Sequence, residues 1–329
     1  MHVLITGAGG MIGRKLASRL AEEKTLAGRE IARLSLTDIV APEKPAAFAG
    51  SIDTWAADLA APGAAEAAIA RRPDVIFHLA AIVSGEAEAD FDKGYRVNLD
   101  GTRTLFEAIR AEGGRSPYRP RVVFTSSIAV FGAPFPDAIP DEFFTTPLTS
   151  YGTQKAIGEL LLADYARRGI FDGIGIRLPT ICIRPGTPNK AASGFFSGIL
   201  REPLAGMEAV LPVADDVRHW HASPRAAVSF LPHAATIDLA PLGARRNLGM
   251  PGLSATVGEQ IAALGRVAGE KAVRLIRRAP DPAIAAIVAG WPTRFDPRRA
   301  LALGFRAESS FDEIIRIHIE DELGGVMPR

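Results

Sequence analysis

The sequence predicts an α/β fold in which a doubly wound parallel sheet is joined to a smaller C-terminal α+β lobe. Short apolar runs alternate with alanine-rich stretches of helical spacing through residues 2–178, which is typical of right-handed βαβ units. The first of these runs, residues 2–6, leads directly into a glycine-rich turn. After Pro179 the alternation stops at a loop rich in proline and glycine, so a second lobe is expected to begin there.

The individual elements follow from local patterns. In the first domain, strands and helices are expected at 2–6, 11–24, 34–39, 63–72, 74–80, 92–112, 121–126, 151–168 and 173–178. Ser223 followed by Pro224 predicts a helix start, because serine caps helices and proline suits their first position. Further helices are expected at 255–269, 280–289, 297–303 and 310–323. The predicted domains are 1–181 with roughly 217–250, and roughly 182–216 with 251–329.

Composition narrows the kinds of partner. Lys and Arg (38) nearly balance Asp and Glu (37), so the net charge of +1 gives no field that would recruit nucleic acid or an anionic membrane. Cys182 is the only cysteine, which excludes an internal disulfide. No apolar run approaches the roughly 20 residues of a membrane span, and the first residues do not resemble a signal peptide. We therefore expect a cytoplasmic protein that binds a small molecule.

The glycine-rich turn, residues 7–13, has the spacing G-x-x-G-x-x-G between a predicted strand and a predicted helix. Gly7 permits the tight turn, Gly10 lets the backbone approach a pyrophosphate, and Gly13 lets the helix pack close to the strand. The N terminus of the helix then faces the anion. These features predict a Rossmann domain whose dinucleotide is bound by Gly7, Gly10, Met11, Ile12 and Gly13.

Three later strand ends are candidates for the rest of the cofactor site. Asp38 is expected to accept hydrogen bonds from the adenosine ribose and to repel a 2′-phosphate, which favours NAD over NADP; the alternative is a loop-capping aspartate. Asp58 and Leu59 are expected to bracket the adenine, with a solvated loop aspartate as the alternative. The third strand end is Leu79-Ala80-Ala81, where small residues are expected to let the backbone lie against the cofactor. The alternative is ordinary tight packing at the end of a strand.

A second cluster of residues has the chemistry of a general base. Tyr151 and Lys155 are four residues apart at the start of a predicted helix, so they share one face. An ammonium beside a phenol lowers the phenol pKa from about 10 toward neutrality, as a base acting on an alcohol requires. The hydroxyls of Thr125-Ser126-Ser127 follow a predicted strand upstream. A surface pair on a helix is the alternative for Tyr151 and Lys155.

These motifs together resemble those of the extended short-chain dehydrogenases/reductases, the NAD-dependent epimerase/dehydratase family. The stretches that carry the resemblance are 6–13, 78–81, 97–102, 126–132, 151–155 and 177–179. The resemblance implies that Tyr151 is the general base, that Lys155 binds the nicotinamide ribose and lowers the tyrosine pKa, and that Ser127 or the adjacent Ser126 holds the substrate oxygen. It also implies supporting roles at the nicotinamide for Asn98, Pro179, Thr180 and Ile181, and a homodimer through the helices near 92–112 and 151–168.

One departure from the family pattern reduces the range of expected substrates. Many sugar-nucleotide epimerases have Arg-x-x-Asn-Pro where this chain has Arg177-Leu178-Pro179-Thr180-Ile181, so the asparagine that holds a substrate phosphate is missing. The stretches 189–196, 216–228, 303–305 and 310–315 instead resemble family members that oxidise a four-carbon sugar acid at C2.

A sugar acid needs cationic or multiple hydrogen-bond donors for its carboxylate. The candidates are Asn189, Lys190, Arg218 and Arg225, with surface or interface charges as the alternative for the two arginines. His219 and His221 are expected to decorate a strand or loop rather than to bind a metal. The competing functions are an epimerase or dehydratase with tightly held NAD, and a non-catalytic NAD-binding regulator.

Overall fold

A computed structural model of the chain describes residues 1–46, 48–186 and 193–326. The chain forms two compact units. The first unit contains residues 1–130, 149–177 and 228–248, and the second contains 131–148, 178–227 and 249–329. The chain therefore leaves the first unit and returns to it twice. Among the described residues, no helix is both long enough and apolar enough to cross a membrane.

The first unit is built on a seven-stranded sheet with the spatial order β3-β2-β1-β4-β5-β6-β7. Its strands are β1 His2–Thr6, β2 Arg33–Asp38, β3 Ser51–Ala56, β4 Val75–His78, β5 Arg121–Ser127, β6 Asp172–Leu178 and β7 Asn247–Gly249. The central strand β1 is parallel to both β2 and β4. The order reverses between β1 and β4, and in such sheets the ligand crevice lies outside the carboxyl ends of the strands. The predicted doubly wound parallel sheet is thus confirmed.

Helices cover this sheet because its strands are apolar on both sides. Val3, Leu4 and Ile5 of β1 are fully buried, as expected for a parallel strand between two helical layers. A hairpin of Thr25–Leu26 and Arg29–Glu30 follows the first helix. The helices are α1 Met11–Glu23, α2 Ala64–Ile69, α3 Ser84–Ala89, α4 Phe91–Gly94, α5 Gly101–Arg115 and α6 Ser150–Arg167. Short 3₁₀ turns occur at Ile128–Val130 and Ala240–Leu242.

One predicted helix differs from the structure. Residues 92–112 form the short α4, a wide π-helical turn at Tyr95–Asp100, and then α5. Asn98 lies in this turn and is buried. Its side chain carries hydrogen bonds to a neighbouring loop, so a regular helix gives way to a wider turn at this position.

The second unit consists of short strands and helices around its own core. Its strands are Ile139–Pro140, Thr180–Ile181, Ala209–Leu211, Arg218–Ala222, Leu253–Thr256, Ile276–Arg278 and Phe295–Asp296. Its helices are Gly194–Leu204, Val257–Ala268, Glu270–Val273, Pro282–Ala289, Arg298–Ala302 and Phe311–Glu322. The helix Pro224–Thr236 begins in this unit and continues into the first. The helices expected after residue 222 are therefore present, with the 255–269 segment beginning as a strand.

Two segments fall outside the domains predicted for them. Residues 131–148 were expected in the first domain, but they belong to the second unit because Ile139–Pro140 pairs with Phe295–Asp296. The region near 217–227 was also expected in the first domain. It belongs to the second unit because Arg218–Ala222 pairs with Leu253–Thr256. Both differences arise from strand pairing with residues far along the chain.

Candidate active site

The glycine-rich turn connects β1 to α1 and lies against the end of β4. Gly7 has a positive φ of 73°, and a Cβ there would lie 2.5 Å from the Ala80 nitrogen. A Cβ on Gly13 would lie 2.2 Å from the Gly7 oxygen. The structure thus requires glycine at both positions for its own packing, because backbone atoms fill the space that a side chain would need.

Gly10 differs from these two glycines. A Cβ on Gly10 would meet only the Gly7 oxygen, at 3.4 Å, and Gly10 is the N-cap of α1 and is exposed. The protein itself therefore leaves room at Gly10, which is the position where a dinucleotide pyrophosphate must approach the backbone. This turn fits an NAD molecule, which Gly7, Gly10, Met11, Ile12 and Gly13 would hold.

A substitution at Gly10 separates cofactor binding from folding. Gly10→Ala is expected to leave the melting temperature close to that of the wild type, since the added methyl meets only an ordinary contact. It is expected to weaken NAD binding at least about tenfold, because the methyl would occupy the approach to the pyrophosphate. Thermal unfolding and NAD titration by calorimetry measure the two effects. Unchanged NAD affinity would show that the pyrophosphate does not approach this residue.

Asp38 ends β2 beside the glycine-rich turn. Its carboxylate accepts hydrogen bonds from the Gly9 nitrogen at 2.9 Å and from the Ile39 nitrogen at 2.6 Å. The carboxylate is therefore fixed next to the turn rather than free in a loop. This placement agrees with the expectation that Asp38 faces the adenosine ribose.

Asp58 and Leu59 lie in surroundings that the sequence did not predict. The Asp58 carboxylate accepts a hydrogen bond from the Ala60 nitrogen and forms an ion pair with Arg96. The Leu59 side chain is buried in the apolar core beneath α2 and α5. The bracket around the adenine by Asp58 and Leu59 stays a prediction.

The end of β4 lies directly against the glycine-rich turn. The Leu79 nitrogen donates to the Thr6 oxygen at 3.1 Å, and Leu79 and Ala80 backbone atoms fill the space beside Gly7. Leu79, Ala80 and Ala81 are partly exposed, so their backbone is open to a ligand. The tight packing that the sequence suggested occurs here, and the contact of this backbone with the cofactor stays a prediction.

Tyr151 lies in the first turn of α6. Thr149 caps this helix through a hydrogen bond from the Gly152 nitrogen, which fixes where α6 begins. The Ser127 hydroxyl, at the end of β5, lies near the Tyr151 phenol and lowers its pKa. Burial is the larger effect and raises the pKa of Tyr151 to about 12. The expected near-neutral phenol is therefore not present in the chain itself.

Lys155 lies one turn further along α6 and is buried. Its ammonium donates to the Thr125 oxygen at 2.9 Å and lies 5.8 Å from the centre of the Tyr151 ring. Burial lowers the pKa of Lys155 to about 8, while the carboxylate of Glu159 opposes this change. A cation is thus placed on the same helix face as the phenol, as the spacing predicts.

Asn98 connects the π-helical turn to the catalytic helix. Its amide accepts from the Ile82 nitrogen at 2.8 Å and donates to the Gln154 side chain at 2.8 Å. Gln154, between Tyr151 and Lys155 in sequence, was not recognised as a site residue. Its position on the buried side of α6 is the only signal that could have indicated the contact.

Ser126 contacts a different side chain from its neighbour. Its hydroxyl donates to the Glu159 carboxylate at 2.6 Å, and both side chains are buried. A contact of Ser126 with a substrate oxygen stays a prediction, and the Glu159 carboxylate already accepts the hydrogen bond of this hydroxyl.

The predicted carboxylate-binding residues are in the second unit or outside the described residues. Arg225 forms ion pairs with Glu320 and Asp321, and Arg218 donates to the Ser254 oxygen and pairs with Glu259. Both guanidinium groups are therefore engaged by other groups, which argues against either as a substrate clamp. Asn189 and Lys190 lie outside the described residues.

Other predicted residues of the second unit form a polar group around a short strand. Thr180 hydrogen-bonds to His219 at 2.7 Å, and the second ring nitrogen of His219 contacts the Pro292 oxygen at 2.9 Å. Pro179 is buried and Ile181 pairs with Ala222. Within the described part of the chain, no group of three or more His, Cys, Asp or Glu side chains has the geometry of a metal site.

The fold is that of a Rossmann-type dinucleotide-binding protein, and comparison with known proteins shows the family to which the chain belongs. Residues 3–223 match the NAD dependent epimerase/dehydratase family. The chain belongs to this family, the extended short-chain dehydrogenases/reductases, and is an NAD-dependent oxidoreductase.

Three relatives are similar over nearly the whole chain. A D-erythronate dehydrogenase of Cupriavidus necator is 47% identical, covering 98% of each chain. A D-erythronate dehydrogenase of Haemophilus influenzae is 42% identical, covering 98% of this chain and 100% of its own. The crystal structure of a nucleoside-diphosphate-sugar epimerase from Agrobacterium tumefaciens is 68% identical with a TM-score of 0.98, covering 100% of this chain and 96% of its own.

Proposed function

We propose that this chain oxidises D-erythronate at C2 to 2-oxo-tetronate with reduction of NAD. The observation that carries the proposal is the Tyr151 phenol, which shares its helix face with the buried ammonium of Lys155 and whose pKa is lowered by the neighbouring Ser127 hydroxyl. The substrate is supported by the two dehydrogenase relatives. It is also supported by Thr180, which stands where many sugar-nucleotide epimerases have a phosphate-binding asparagine.

In the proposed reaction, Tyr151 accepts the proton of the C2 hydroxyl while Ser127 donates a hydrogen bond to the reacting oxygen. The C2–H bond breaks as the C2–O bond becomes a carbonyl. NAD supplies the hydride acceptor and, in its oxidised form, a positive charge. Because burial raises the pKa of Tyr151 to about 12 although Ser127 lowers it, positive charge near the phenol is needed to form the phenolate at neutral pH. Lys155 provides one such charge from the chain itself.

The test of this proposal measures NADH formation with purified protein. Each of several four-carbon sugar acids is supplied with NAD or NADP, and nucleotide sugars are tested in parallel with product analysis. Rapid NAD reduction by D-erythronate is the expected result. No reduction with any sugar acid, at protein concentrations that bind NAD, would overturn it.

A second candidate function is favoured by one specific finding, the 68% identical crystal structure of a protein described as a nucleoside-diphosphate-sugar epimerase. An epimerase would convert a nucleotide sugar without net formation of NADH. The same panel separates the two functions, since only one of them accumulates reduced cofactor.

The homodimer remains a prediction. One of the two helices expected at the interface is α6, and its Leu160 is 69% exposed.

The cofactor preference can be tested at Asp38. Asp38→Asn keeps the shape of the side chain and an acceptor for the Gly9 nitrogen, but removes the charge that would repel a 2′-phosphate. We expect the ratio of kcat/KM for NAD to that for NADP to fall at least about tenfold, mainly through better use of NADP. Asp172→Asn, which changes an exposed aspartate paired with Arg119, is the control. An unchanged ratio in Asp38→Asn would mean that Asp38 does not face the ribose.

A further inference from the structure

A buried ion pair lies behind the predicted catalytic residues. Glu159 of α6 accepts two hydrogen bonds from the Arg177 guanidinium, at 2.9 and 2.8 Å, and a third from the Ser126 hydroxyl at 2.6 Å. All three residues are at most 5% exposed. The Glu159 carboxylate is thus well satisfied, and Arg177 at the end of β6 fixes its position.

Glu159 continues the helix face that carries the proposed base. Tyr151, Lys155 and Glu159 are spaced by four residues, so they lie one above the other on α6. Three consecutive residues of β5 contact these three side chains: Thr125 contacts Lys155, Ser126 contacts Glu159, and Ser127 contacts Tyr151. The end of β5 and the first turns of α6 are therefore held in register by three side-chain contacts.

The charges around Lys155 are few and can be named. Glu159 lies on its own helix, and its carboxylate favours the ammonium. Arg177 of β6 faces Glu159, while His78 of β4 faces Lys155. His78 is held neutral near physiological pH because burial lowers its pKa to about 3. Glu159 is therefore a negative charge that acts on both buried cations, Lys155 and Arg177.

We propose that Glu159 is a positioning residue for the oxidation: through its charge it retains the Lys155 ammonium, and through Ser126 it holds the strand end that carries Ser127. Its contribution to catalysis rests on the proposed function, whereas its action on Lys155 does not. A buried ion pair is a weak source of net stability. A role in placing charge explains why one lies behind this site.

The experiment titrates Lys155 directly, by NMR of protein labelled at the lysine ε-carbon, with the signal assigned through Lys155→Met. In the wild type the pKa is expected at about 8. Glu159→Gln removes the negative charge and should lower this pKa by about one pH unit, and Arg177→Gln removes a positive charge and should raise it by about as much. The double variant, which restores neutrality, should return close to the wild-type value.

A purely structural role would not produce shifts of opposite sign. Lys155 pKa values that stay within experimental error in both single variants, or that move in the same direction, overturn the proposal. If Glu159→Gln does not fold, the double variant is compared with Arg177→Gln. The Lys155 pKa must then be lower in the double variant than in Arg177→Gln. Glu112→Gln, which removes the carboxylate paired with Arg72, is the matched control and should leave the Lys155 pKa unchanged.

The pH dependence of NAD reduction gives the second readout. Loss of the negative charge lowers the pKa of any neighbouring acid. Glu159→Gln should therefore shift the acidic and the alkaline limb of the plot of kcat/KM against pH to lower pH. Arg177→Gln should shift them to higher pH. If the Lys155 pKa shifts as expected in the variants but no sugar acid is oxidised, the proposed function alone is refuted. Oxidation with an unmoved Lys155 titration would refute the role of Glu159 alone.

Discussion

Tyr151→Phe is expected to lower kcat by about 10²- to 10⁴-fold, the usual contribution of a positioned general base. The substitution removes only the hydroxyl that Ser127 contacts and leaves the ring in place. NAD affinity should therefore be retained. Initial rates of NADH formation and an NAD titration measure the two quantities on the same preparation.

A matched control for this variant exists in the same helix. Tyr165→Phe also removes a phenol hydroxyl from α6, but this hydroxyl donates to Glu107 on α5. Its activity should stay close to that of the wild type. If Tyr151→Phe keeps wild-type turnover, another group must accept the proton and the assignment of the base is wrong.

The second large effect is expected at Gly7. Gly7→Ala combines a positive φ with a methyl group that would lie 2.5 Å from the Ala80 nitrogen. Backbone strain and overpacking each cost about 1–3 kcal/mol, so the free energy of unfolding should fall by about 2–6 kcal/mol. Since the turn and the end of β4 must move apart, NAD binding should be lost as well. Denaturant unfolding and calorimetric NAD titration measure these changes.

A substitution at Gly169 separates the effect of backbone strain from the effect of steric crowding. It has almost the same positive φ, 75°, but nothing lies within 4 Å of the position of its missing Cβ. Gly169→Ala should therefore cost only about 1 kcal/mol and leave NAD binding intact. If the free energy of unfolding falls equally in the two variants, the close approach of β4 to the glycine-rich turn does not contribute to stability.

The features that sequence predicts well are those encoded by local spacing. The apolar runs of β1 and β4, the glycines at 7, 10 and 13, and the four-residue step from Tyr151 to Lys155 each depend on residues close in the chain. Their elements were therefore predicted within a few residues. The resemblance to the family then supplied roles that spacing alone left open.

Features that depend on distant residues were missed. Residues 131–148 join the second unit through a pairing with 295–296, which no local pattern indicates. The Ser126 hydroxyl is taken by Glu159, 33 residues later, and Glu159 in turn is held by Arg177 from another strand. The raised pKa of the Tyr151 phenol was also missed, because burial outweighs the effect of the Ser127 hydroxyl and burial is not visible in the sequence.

The outer strand β7 has a consequence for how the protein is made. It joins the sheet beside β6 although its residues, Asn247–Gly249, come some 70 positions after β6 ends. Asn247 also donates to the Glu159 backbone oxygen, at 3.4 Å. During translation, β6 therefore remains an open sheet edge until the second-unit segment 178–227 has been synthesised, and open edges are sites of aggregation. A fragment that ends after the last catalytic motif, near residue 181, should inherit that edge permanently and be a poor choice for producing the cofactor-binding half alone.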